Sequence, residues 1–323
     1  MKTLNRMILS LILFITAASC RGSGESLSES GVPGIASPVS REQPSQSNTL
    51  SGSSEVSGHY PTTDHGSFSL LRIRTLDLPS GSILRGVTAS GGLQFILLET
   101  QSSGGFSRWK IYANNGEDDV WAVQCDILSD GGTRIGIGVD ENNFYLPGSS
   151  GEQRYSYRSI LKVNRSNCTR HSVIDSSISF PSSGDVATSF TVSVADGVLY
   201  WSESINQLRT RALNFLSLIV TTQTSIPTLG GRSLYNFRAV HRSRDEIWAL
   251  DTGPYLWKLR TDGSPISWGR LPSDDYSDLG YHLRGVTPLG LNTLVVMTNG
   301  SFNTGGGAQA TRLRFYYFDV SRF

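Results

Sequence analysis

Four carboxylates recur in this chain between the first and second predicted strands of a sequence repeat. They are the first candidates for catalysis. They are Asp140, Asp196, Asp245 and Glu246. Two carboxyl groups about 5–10 Å apart can hydrolyse a glycosidic bond, one as acid and one as base or nucleophile. However, Asp140 begins the run Asp-Glu-Asn-Asn and Asp196 lies in Ala-Asp-Gly, and both runs are typical of tight turns between strands. We therefore interpret these carboxylates as turn residues.

A second group of candidates combines tyrosines with arginines, a carboxylate and a histidine in stretches rich in turn-forming residues. Its members are Arg154, Tyr155, Tyr157, Arg158, Asp275, Tyr276, Tyr281 and His282. Tyrosine supplies a large, rigid contact surface, and charged neighbours add directional hydrogen bonds. This composition favours recognition of a protein or a glycan. Ordinary loop residues are the alternative interpretation.

Other kinds of site are not indicated by the composition. The chain has 28 Lys and Arg against 27 Asp and Glu, so it lacks the positive field that attracts nucleic acid. Its five histidines are scattered, and neither Cys125 nor Cys168 has a partner at the short spacing of metal ligands. The sequence has no phosphate-binding loop and no nucleophile elbow. No metal and no cofactor are therefore predicted.

The chain begins with the three parts of an export signal. Lys2 and Arg6 precede an apolar run at 7–15, and small residues follow at 17–19. The run is about half the ~20 residues that a membrane-spanning helix needs. Residues 1–19 are therefore predicted to be a cleaved signal peptide.

The end of this signal, Ala17-Ala18-Ser19-Cys20, resembles the lipid-attachment box of bacterial lipoproteins, with Ala17 where Leu is usual. The resemblance implies a lipid on Cys20 that anchors the chain to a membrane of the bacterial cell envelope. The chain would then be extracytoplasmic, at the outer membrane or the cell surface. Ordinary cleavage that leaves Cys20 free is the alternative.

The segment after Cys20 has the composition of a flexible tether. Half of the 46 residues from Arg21 to Gly66 are Ser, Gly or Pro. Such a segment buries too little apolar surface to offset the entropy of ordering it. As a coil it would span about 35–40 Å. We expect residues 20–66 to be a lipidated, disordered tether, and a disordered N-terminus without an anchoring role is the alternative.

The remaining cysteines form an even pair if Cys20 carries lipid. Cys125 and Cys168 would then be consistent with one disulfide in an oxidising compartment. Two buried, unpaired thiols are the alternative.

A degenerate repeat of about 50 residues runs through the rest of the chain, residues 67–323. Each unit contains a valine-centred strand, a turn and an apolar strand. Arg85-Gly86-Val87-Thr88, for example, recurs as Arg284-Gly285-Val286-Thr287. The equivalent valines are Val87, Val139, Val194, Val240 and Val286. Their spacing of 52, 55, 46 and 46 residues suits an all-β propeller of five four-stranded blades, with six or seven blades as alternatives.

The last repeat ends before a fourth strand. The segment from Phe68 to Leu76 precedes the first repeat and has strand character. Pairing this segment with the last repeat would close the ring and leave no open sheet edge. We expect that closure.

Two repeats resemble the YWTD-type blade of lipoprotein-receptor propellers and related bacterial repeats. The resemblance lies in Val198-Leu199-Tyr200-Trp201-Ser202-Glu203 and in Ile247-Trp248-Ala249-Leu250-Asp251, each with the strand that follows it. YWTD propellers have six blades, whereas five repeats are present here. The resemblance implies a binding platform and transfers no catalytic residue.

These features predict a lipid-anchored binding module that presents loops to a protein or glycan partner. In propellers, the connections between blades and those between second and third strands share one face. Here they include the ranges 148–158, 272–282 and 298–310, which hold the tyrosine-rich group. An extracellular carbohydrate-active enzyme on the same fold and an envelope-assembly lipoprotein are the alternatives.

Overall fold

The structure is a computed structural model that describes most of the chain beyond residue 48. The described ranges are 49–55, 67–101, 107–116, 119–151, 158–174, 178–180, 191–204, 208–215, 220–234, 237–251, 255–271, 283–299 and 312–323. The predicted signal peptide, Cys20 and residues 21–48 of the predicted tether lie outside them.

The described residues form β-strands joined by turns and connections. In chain order the strands are β1 (Thr49–Glu55), β2 (Ser67–Asp77), β3 (Ile83–Ser90), β4 (Leu93–Gln101), β5 (Ser107–Asn114), β6 (Val120–Leu128), β7 (Gly138–Val139), β8 (Asn143–Gly148), β9 (Ser159–Asn164), β10 (Arg170–Ile174), β11 (Thr191–Ala195), β12 (Val198–Ser204), β13 (Leu208–Asn214), β14 (Val220–Ser225), β15 (Thr228–Leu229), β16 (Arg232–Ser233), β17 (Phe237–Arg242), β18 (Glu246–Asp251), β19 (Tyr255–Arg260), β20 (Pro265–Arg270), β21 (Leu283–Pro288), β22 (Thr293–Asn299) and β23 (Arg312–Arg322). No helix among the described residues is long and apolar enough to cross a membrane.

Most of these strands belong to four-stranded antiparallel sheets, and the strands of each sheet follow the same order. Blade 1 is β3 to β6, blade 2 is β7 to β10, blade 3 is β11 to β14, blade 4 is β17 to β20, and blade 5 is β21, β22, β23 and β2. The first strands of these blades, β3, β7, β11, β17 and β21, contact one another in a closed ring. The sheets therefore radiate from one axis, and the fold is the predicted β-propeller.

Small residues allow the first strands to approach one another. The residue before each repeat valine is Gly86, Gly138, Ser193, Ala239 or Gly285. A Cβ atom on Gly86 would lie 2.7 Å from the backbone nitrogen of Ile137 in the neighbouring blade. A Cβ atom on Gly285 would lie 2.6 Å from the side chain of Val87. The repeat thus places its smallest side chains where neighbouring blades meet at the axis.

The ring closes as the sequence predicts. Strand β2 pairs antiparallel with β23 over almost its whole length, from Ser67 opposite Arg322 to Asp77 opposite Arg312. The Nε atom of Arg312 lies 2.6 Å from Oδ1 of Asp77 at the end of this pairing. The N-terminal strand therefore completes the blade that the C-terminal strand leaves unfinished.

Strand β1 corrects the predicted extent of the disordered tether. Its first half pairs with β6, with Leu50 opposite Trp121, and its second half pairs with β2, with Gly52 opposite Leu76. It thereby joins blades 1 and 5 into one nine-stranded sheet. Leu50 is buried beside Trp121 and is the single large apolar residue of the strand. The composition of the segment therefore did not reveal β1, which is stabilised by its pairing with β2 and β6. The folded part of the chain extends back to Thr49.

The outer edges of blades 1 and 2 are linked covalently. Cys125 of β6 and Cys168, in the turn between β9 and β10, form a disulfide with a Cα–Cα distance of 5.6 Å. The sulfur of Cys125 is buried in the cluster that fills the space between these two blades. The two cysteines are paired in this fold and are not free thiols.

Candidate functional site

The two faces of the propeller carry different connections. One face, here the turn face, carries the turns from first to second strands, such as residues 140–142. The other, here the loop face, carries the connections between blades and those from second to third strands, such as 129–137 and 149–158. The first strands begin at the loop face, so residues near their N-terminal ends surround the axis there.

The carboxylates considered for catalysis lie on the turn face. Asp140 accepts backbone hydrogen bonds from Asn142 and Asn143 at 2.8 and 2.7 Å, and the hydroxyl of Tyr145 at 2.7 Å. Burial, followed by this bond to Asp140, raises the pKa of Tyr145. Asp196 adopts a φ of 51° in its turn, and its exposed carboxylate lies 3.4 Å from Arg244. Asp140 and Asp196 lie in turns, as the sequence indicates. Glu246 does not: it is the first residue of β18, and its carboxylate accepts a hydrogen bond from the indole of Trp248 at 2.6 Å and lies 3.4 Å from Lys258.

The first strands of blades 1, 4 and 5 share a β-bulge at the same position. In β3 the register moves from Leu84 opposite Leu98 to Gly86 opposite Leu97, which leaves Arg85 as the extra residue. In β17 the extra residue is Arg238, between Phe237 and Ala239. In β21 it is Arg284, between Leu283 and Gly285. In these three blades the bulged residue is an arginine two residues before the repeat valine. Blade 2 has the same register shift without an arginine, because Arg134 lies opposite Gly148 whereas Gly138 lies opposite Tyr145.

Blades 2 and 3 have apolar residues at the equivalent position. These are Ile137 and Val192, which are 1% and 4% exposed. Strand β11 pairs with β12 without a register shift, with Val192 opposite Trp201. We call the ring of equivalent positions Arg85, Ile137, Val192, Arg238 and Arg284 the axial mouth. Blades 4, 5 and 1 are consecutive around the ring, so the three arginines occupy one continuous side of it.

Arg85 has a carboxylate partner on the neighbouring strand. Its Nε and Nη2 atoms lie 2.7 and 2.6 Å from the same oxygen, Oε2, of Glu99 in β4. Both side chains are mostly buried, at 21% and 14% exposure. The pair fixes the guanidinium at the start of blade 1. For Arg238 and Arg284 the structure describes the backbone position.

The connection from blade 1 to blade 2 is held by a second, fully buried arginine. Arg134 donates to Oδ2 of Asp130 at 2.7 Å, and to the carbonyl of Leu146 and the hydroxyl of Ser159 at 3.2 Å each. Burial lowers the pKa of Arg134, and Asp130 opposes that effect. Asp130 also accepts a bond from the backbone of Gly132. This network fixes the connection that leads to Ile137.

A third charged cluster anchors the loop face of blade 4. The carboxylate of Asp251 is buried, and it accepts hydrogen bonds from the backbone of Tyr255 at 3.1 Å and from the indole of Trp257 at 3.2 Å. The guanidinium of Arg232 lies 3.5 Å from Asp251 and 3.2 Å from the centre of the Tyr255 ring. These contacts tie the short β15–β16 hairpin to the blade beside Arg238.

The described first strands contain no carboxylate. The five sequences, from β3, β7, β11, β17 and β21, include Arg85, Arg238, Arg242 and Arg284 but no Asp or Glu. Within the ranges that the structure describes, no three His, Cys, Asp or Glu side chains are placed to hold a metal ion.

A cavity of about 460 Å³ opens between blades 5 and 1 near the turn face. Its lining includes Arg72, Gly116 and Tyr317. The guanidinium of Arg72 lies 4.4 Å from the centre of the Tyr317 ring and donates to the carbonyl of Gly116. The Tyr317 hydroxyl donates to the buried amide oxygen of Gln94 at 3.0 Å, and burial raises its pKa. The side chain of Arg72 therefore contributes to the contact between blades 5 and 1 that closes the ring.

The predicted tyrosine-rich group falls almost entirely outside the described residues. Arg154, Tyr155, Tyr157, Asp275, Tyr276, Tyr281 and His282 are not described. Arg158 is described, and it is exposed immediately before β9 on the loop face. Tyr281 and His282 directly precede Leu283, the residue before Arg284.

The bulged arginines are functional candidates that the sequence analysis missed. The recurrence of Arg-Gly-Val-Thr was interpreted only as evidence of a repeat. The sequence does contain a pattern that could have indicated them. Arg precedes Gly-Val or Ala-Val in three repeats, and Ile or Val replaces it in the other two.

Comparison with known proteins adds no family. No protein-family model and no curated protein matches the chain. Among solved structures, a GH43_1 enzyme from Xanthomonas citri is 9% identical, with 75% of this chain and 90% of that chain covered and a TM-score of 0.45. The N-terminal domain of Nup159 is 12% identical, with 79% of this chain and 65% of that chain covered and a TM-score of 0.35. Such low scores carry no functional argument, so the propeller assignment rests on the strand order and the ring of first strands.

Proposed function

We propose that this chain is a membrane-tethered binding protein that receives a protein or glycan partner on the loop face of its propeller. The observation that carries the proposal is the axial mouth, where the first strands of three consecutive blades have an arginine as the extra residue of the bulge. Bulges are frequent next to functional sites because they redirect a side chain and interrupt the ladder.

The composition of the first strands supports binding over hydrolysis. A glycosidase needs a pair of carboxylates beside the scissile bond. The described first strands supply arginines and no carboxylate at the axis. The enzyme alternative would therefore have to draw both carboxylates from other parts of the loop face.

The tether is the second part of the proposal. Lipid on Cys20 would hold the chain in the envelope, and the Ser, Gly and Pro-rich residues up to 48 would separate the propeller from the bilayer. Strand β1 shortens that spacer, because its residues pair with blades 1 and 5. A Cys20→Ser variant is expected to lose incorporation of labelled palmitate and to leave the membrane fraction.

Affinity capture tests the binding role. The full chain, extracted in detergent from bacterial membranes, is used to capture partners from envelope extracts, with one extract treated with protease to separate glycan from protein. A Tyr155→Ala, Tyr157→Ala and Tyr276→Ala variant is expected to capture at least tenfold less while its melting temperature stays unchanged. Equal capture by the variant, or no partner enriched over a resin control, contradicts the proposal.

A further inference from the structure

We infer that the outer edge of blade 3, strand β14 (Val220–Ser225), pairs with the same strand of a second copy of this chain. Strand β14 is the last strand of its sheet and the one furthest from the ring of first strands. The inference is therefore independent of the axial mouth and of the partner proposed for the loop face.

The outer strands of blades 1 and 5 are covered by other parts of the chain. Strand β1 pairs with residues 120–122 of β6 and with residues 73–76 of β2. At the other end of β6, the guanidinium of Arg170 in blade 2 donates to the carbonyl of Leu128. Both ends of β6 and part of β2 are thus occupied, and another strand would have to displace these groups.

The outer strands of blades 2 and 4 carry residues that oppose pairing. Strand β10 begins with the exposed Arg170. Strand β20 begins with Pro265 and ends with the exposed Arg270. The β15–β16 hairpin also lies against β20, where the indole of Trp268 donates to the carbonyl of Leu229 at 2.9 Å. Charged residues, proline and covering segments are the means by which natural proteins prevent pairing at sheet edges.

Strand β14 has none of these protections among the residues that the structure describes. Its sequence, Val-Thr-Thr-Gln-Thr-Ser, has no charge and no proline, and no charged residue occurs between Arg211 and Arg232. No described strand pairs with its outer edge. Valine and threonine favour extended structure. Alternate residues of an antiparallel strand direct their N–H and C=O groups to the side away from the paired neighbour. The edge can therefore accept another strand.

Strand β14 is already held in an extended conformation. It pairs with β13 along its whole length. The amide oxygen of Gln223 accepts a hydrogen bond from the guanidinium of Arg242 in blade 4 at 3.4 Å. On the opposite face Thr222 and Thr224 are exposed, and Ile226, which follows the strand, is 47% exposed. A second strand would meet a preformed edge with β-branched side chains beside it.

The absence of charge favours a second copy as the occupant. In an antiparallel pair related by a two-fold axis, the same surface meets itself, so a charged residue near the axis would face a like charge. Like charges opposite each other destabilise a sheet, whereas Thr–Thr pairs stabilise it. Strand β14 brings only hydroxyl, amide and aliphatic side chains to such a pair. Six paired residues bury less than the roughly 1,200 Å² of a standard interface, so we expect a reversible dimer.

Sedimentation equilibrium of the full chain in density-matched detergent tests the inference, at protein concentrations from about 1 to 100 µM. We expect a monomer–dimer equilibrium within this range. Thr222→Lys with Thr224→Lys places like charges across the pair and should weaken dimerisation by about tenfold or more. The control is His171→Lys with Ser172→Lys, which adds two lysines at exposed positions of β10 and should leave dimerisation unchanged.

A charge exchange identifies the surface. Thr222→Glu with Thr224→Glu should also weaken dimerisation, whereas an equimolar mixture of the glutamate and lysine variants should dimerise again, because opposite charges then face each other. If the lysine variant does not fold, cross-linking of Thr222→Cys with a short bismaleimide carries the test. We expect a higher yield of covalent dimer than for the wild-type chain or for Ser172→Cys, which places the thiol on β10.

Three results overturn the inference: a wild-type chain that stays monomeric over the whole range, equal dimerisation by the lysine variant and its control, or large aggregates in place of a dimer. A monomeric wild-type chain whose lysine variant captures less partner from envelope extracts would show that this edge binds a different protein. That result would also overturn self-pairing, while the proposed binding role would survive.

Discussion

The two sides of the axial mouth are built from the same repeat but are chemically opposite. On the side of blades 4, 5 and 1, the position two residues before the repeat valine is a bulged arginine. On the side of blades 2 and 3 it is Ile137 or Val192, buried among the side chains between blades. The repeat therefore fixes where this position lies, and the residue placed there decides between packing and polar recognition.

The difference between the two sides predicts which substitutions reduce stability and which reduce binding. Buried aliphatic side chains contribute stability in proportion to the surface that they remove from water. The arginines add positive charge to the loop face, where we propose that the partner binds. Substitutions on the apolar side should therefore reduce stability, and substitutions on the arginine side should reduce binding.

The largest expected effect comes from the covalent link between the two sides. Cys125 of blade 1 and Cys168 of blade 2 are 43 residues apart, and closing a loop of that length stabilises the fold by about 4 kcal/mol. A Cys125→Ala, Cys168→Ala variant should lose about that much in urea unfolding. It should retain partner capture, because the disulfide lies at the outer edge of the blades. A loss below about 1 kcal/mol would contradict the first expectation.

Truncation at equivalent mouth positions compares the two sides directly. Ile137→Ala should cost about 3 kcal/mol of unfolding free energy, because the side chain is 1% exposed and packs between blades 1 and 2. Arg284→Ala should change the unfolding free energy by less than about 1 kcal/mol. Similar losses in the two variants would remove the distinction between the sides.

The connection from blade 1 to blade 2 depends on the ion pair between Asp130 and the buried Arg134. Asp130→Ala removes the carboxylate 2.7 Å from the fully buried Arg134 and should cost about 2 kcal/mol. Arg134 keeps its bonds to Leu146 and Ser159, so the loss should stay below that of an isolated buried charge. The matched control is Asp77→Ala, whose partner Arg312 is 50% exposed, and its loss should be the smaller of the two. Equal losses would show that burial of Arg134 does not matter.

The smallest predicted effect is a pH dependence on the arginine side. His241 of β17 is buried, and burial lowers its pKa to about 4, against 6.5 for the unfolded chain. Because the unfolded state binds the proton more readily, stability should fall as the pH drops from about 6.5 towards 4. The contribution of His241 between pH 7.5 and 5.5 should be about 1 kcal/mol. Urea unfolding at both pH values should show a smaller drop for His241→Gln, and an identical drop would contradict this prediction.

The fold was predictable from the sequence because its signals are local. Val87, Val139, Val194, Val240 and Val286 each lie in a first strand or at its end, as their spacing indicates, and the Phe68–Leu76 segment closes the ring. Strand β1 was not predictable from composition. Its one large apolar residue, Leu50, gains its partners only after β2 and β6 are in place.

The candidate site was only partly predictable. The repeat showed that Arg85, Arg238 and Arg284 are equivalent, but a bulge is a property of two paired strands and is not visible in one of them. Glu99 as the partner of Arg85 depends on the same register. The pairing of Cys125 with Cys168 could be proposed from counting, whereas their place between blades 1 and 2 required the fold.

Partner capture by the full chain from envelope extracts tests the central claim most directly, with two variants compared beside the wild-type chain. The first variant combines Arg238→Ala and Arg284→Ala, and the second is Ile137→Ala. We expect the arginine variant to capture clearly less partner, and the Ile137 variant to capture as much as the wild-type chain at a temperature at which it stays folded. Equal capture by the arginine variant and the wild-type chain would contradict the claim that the partner binds on the arginine side of the loop face.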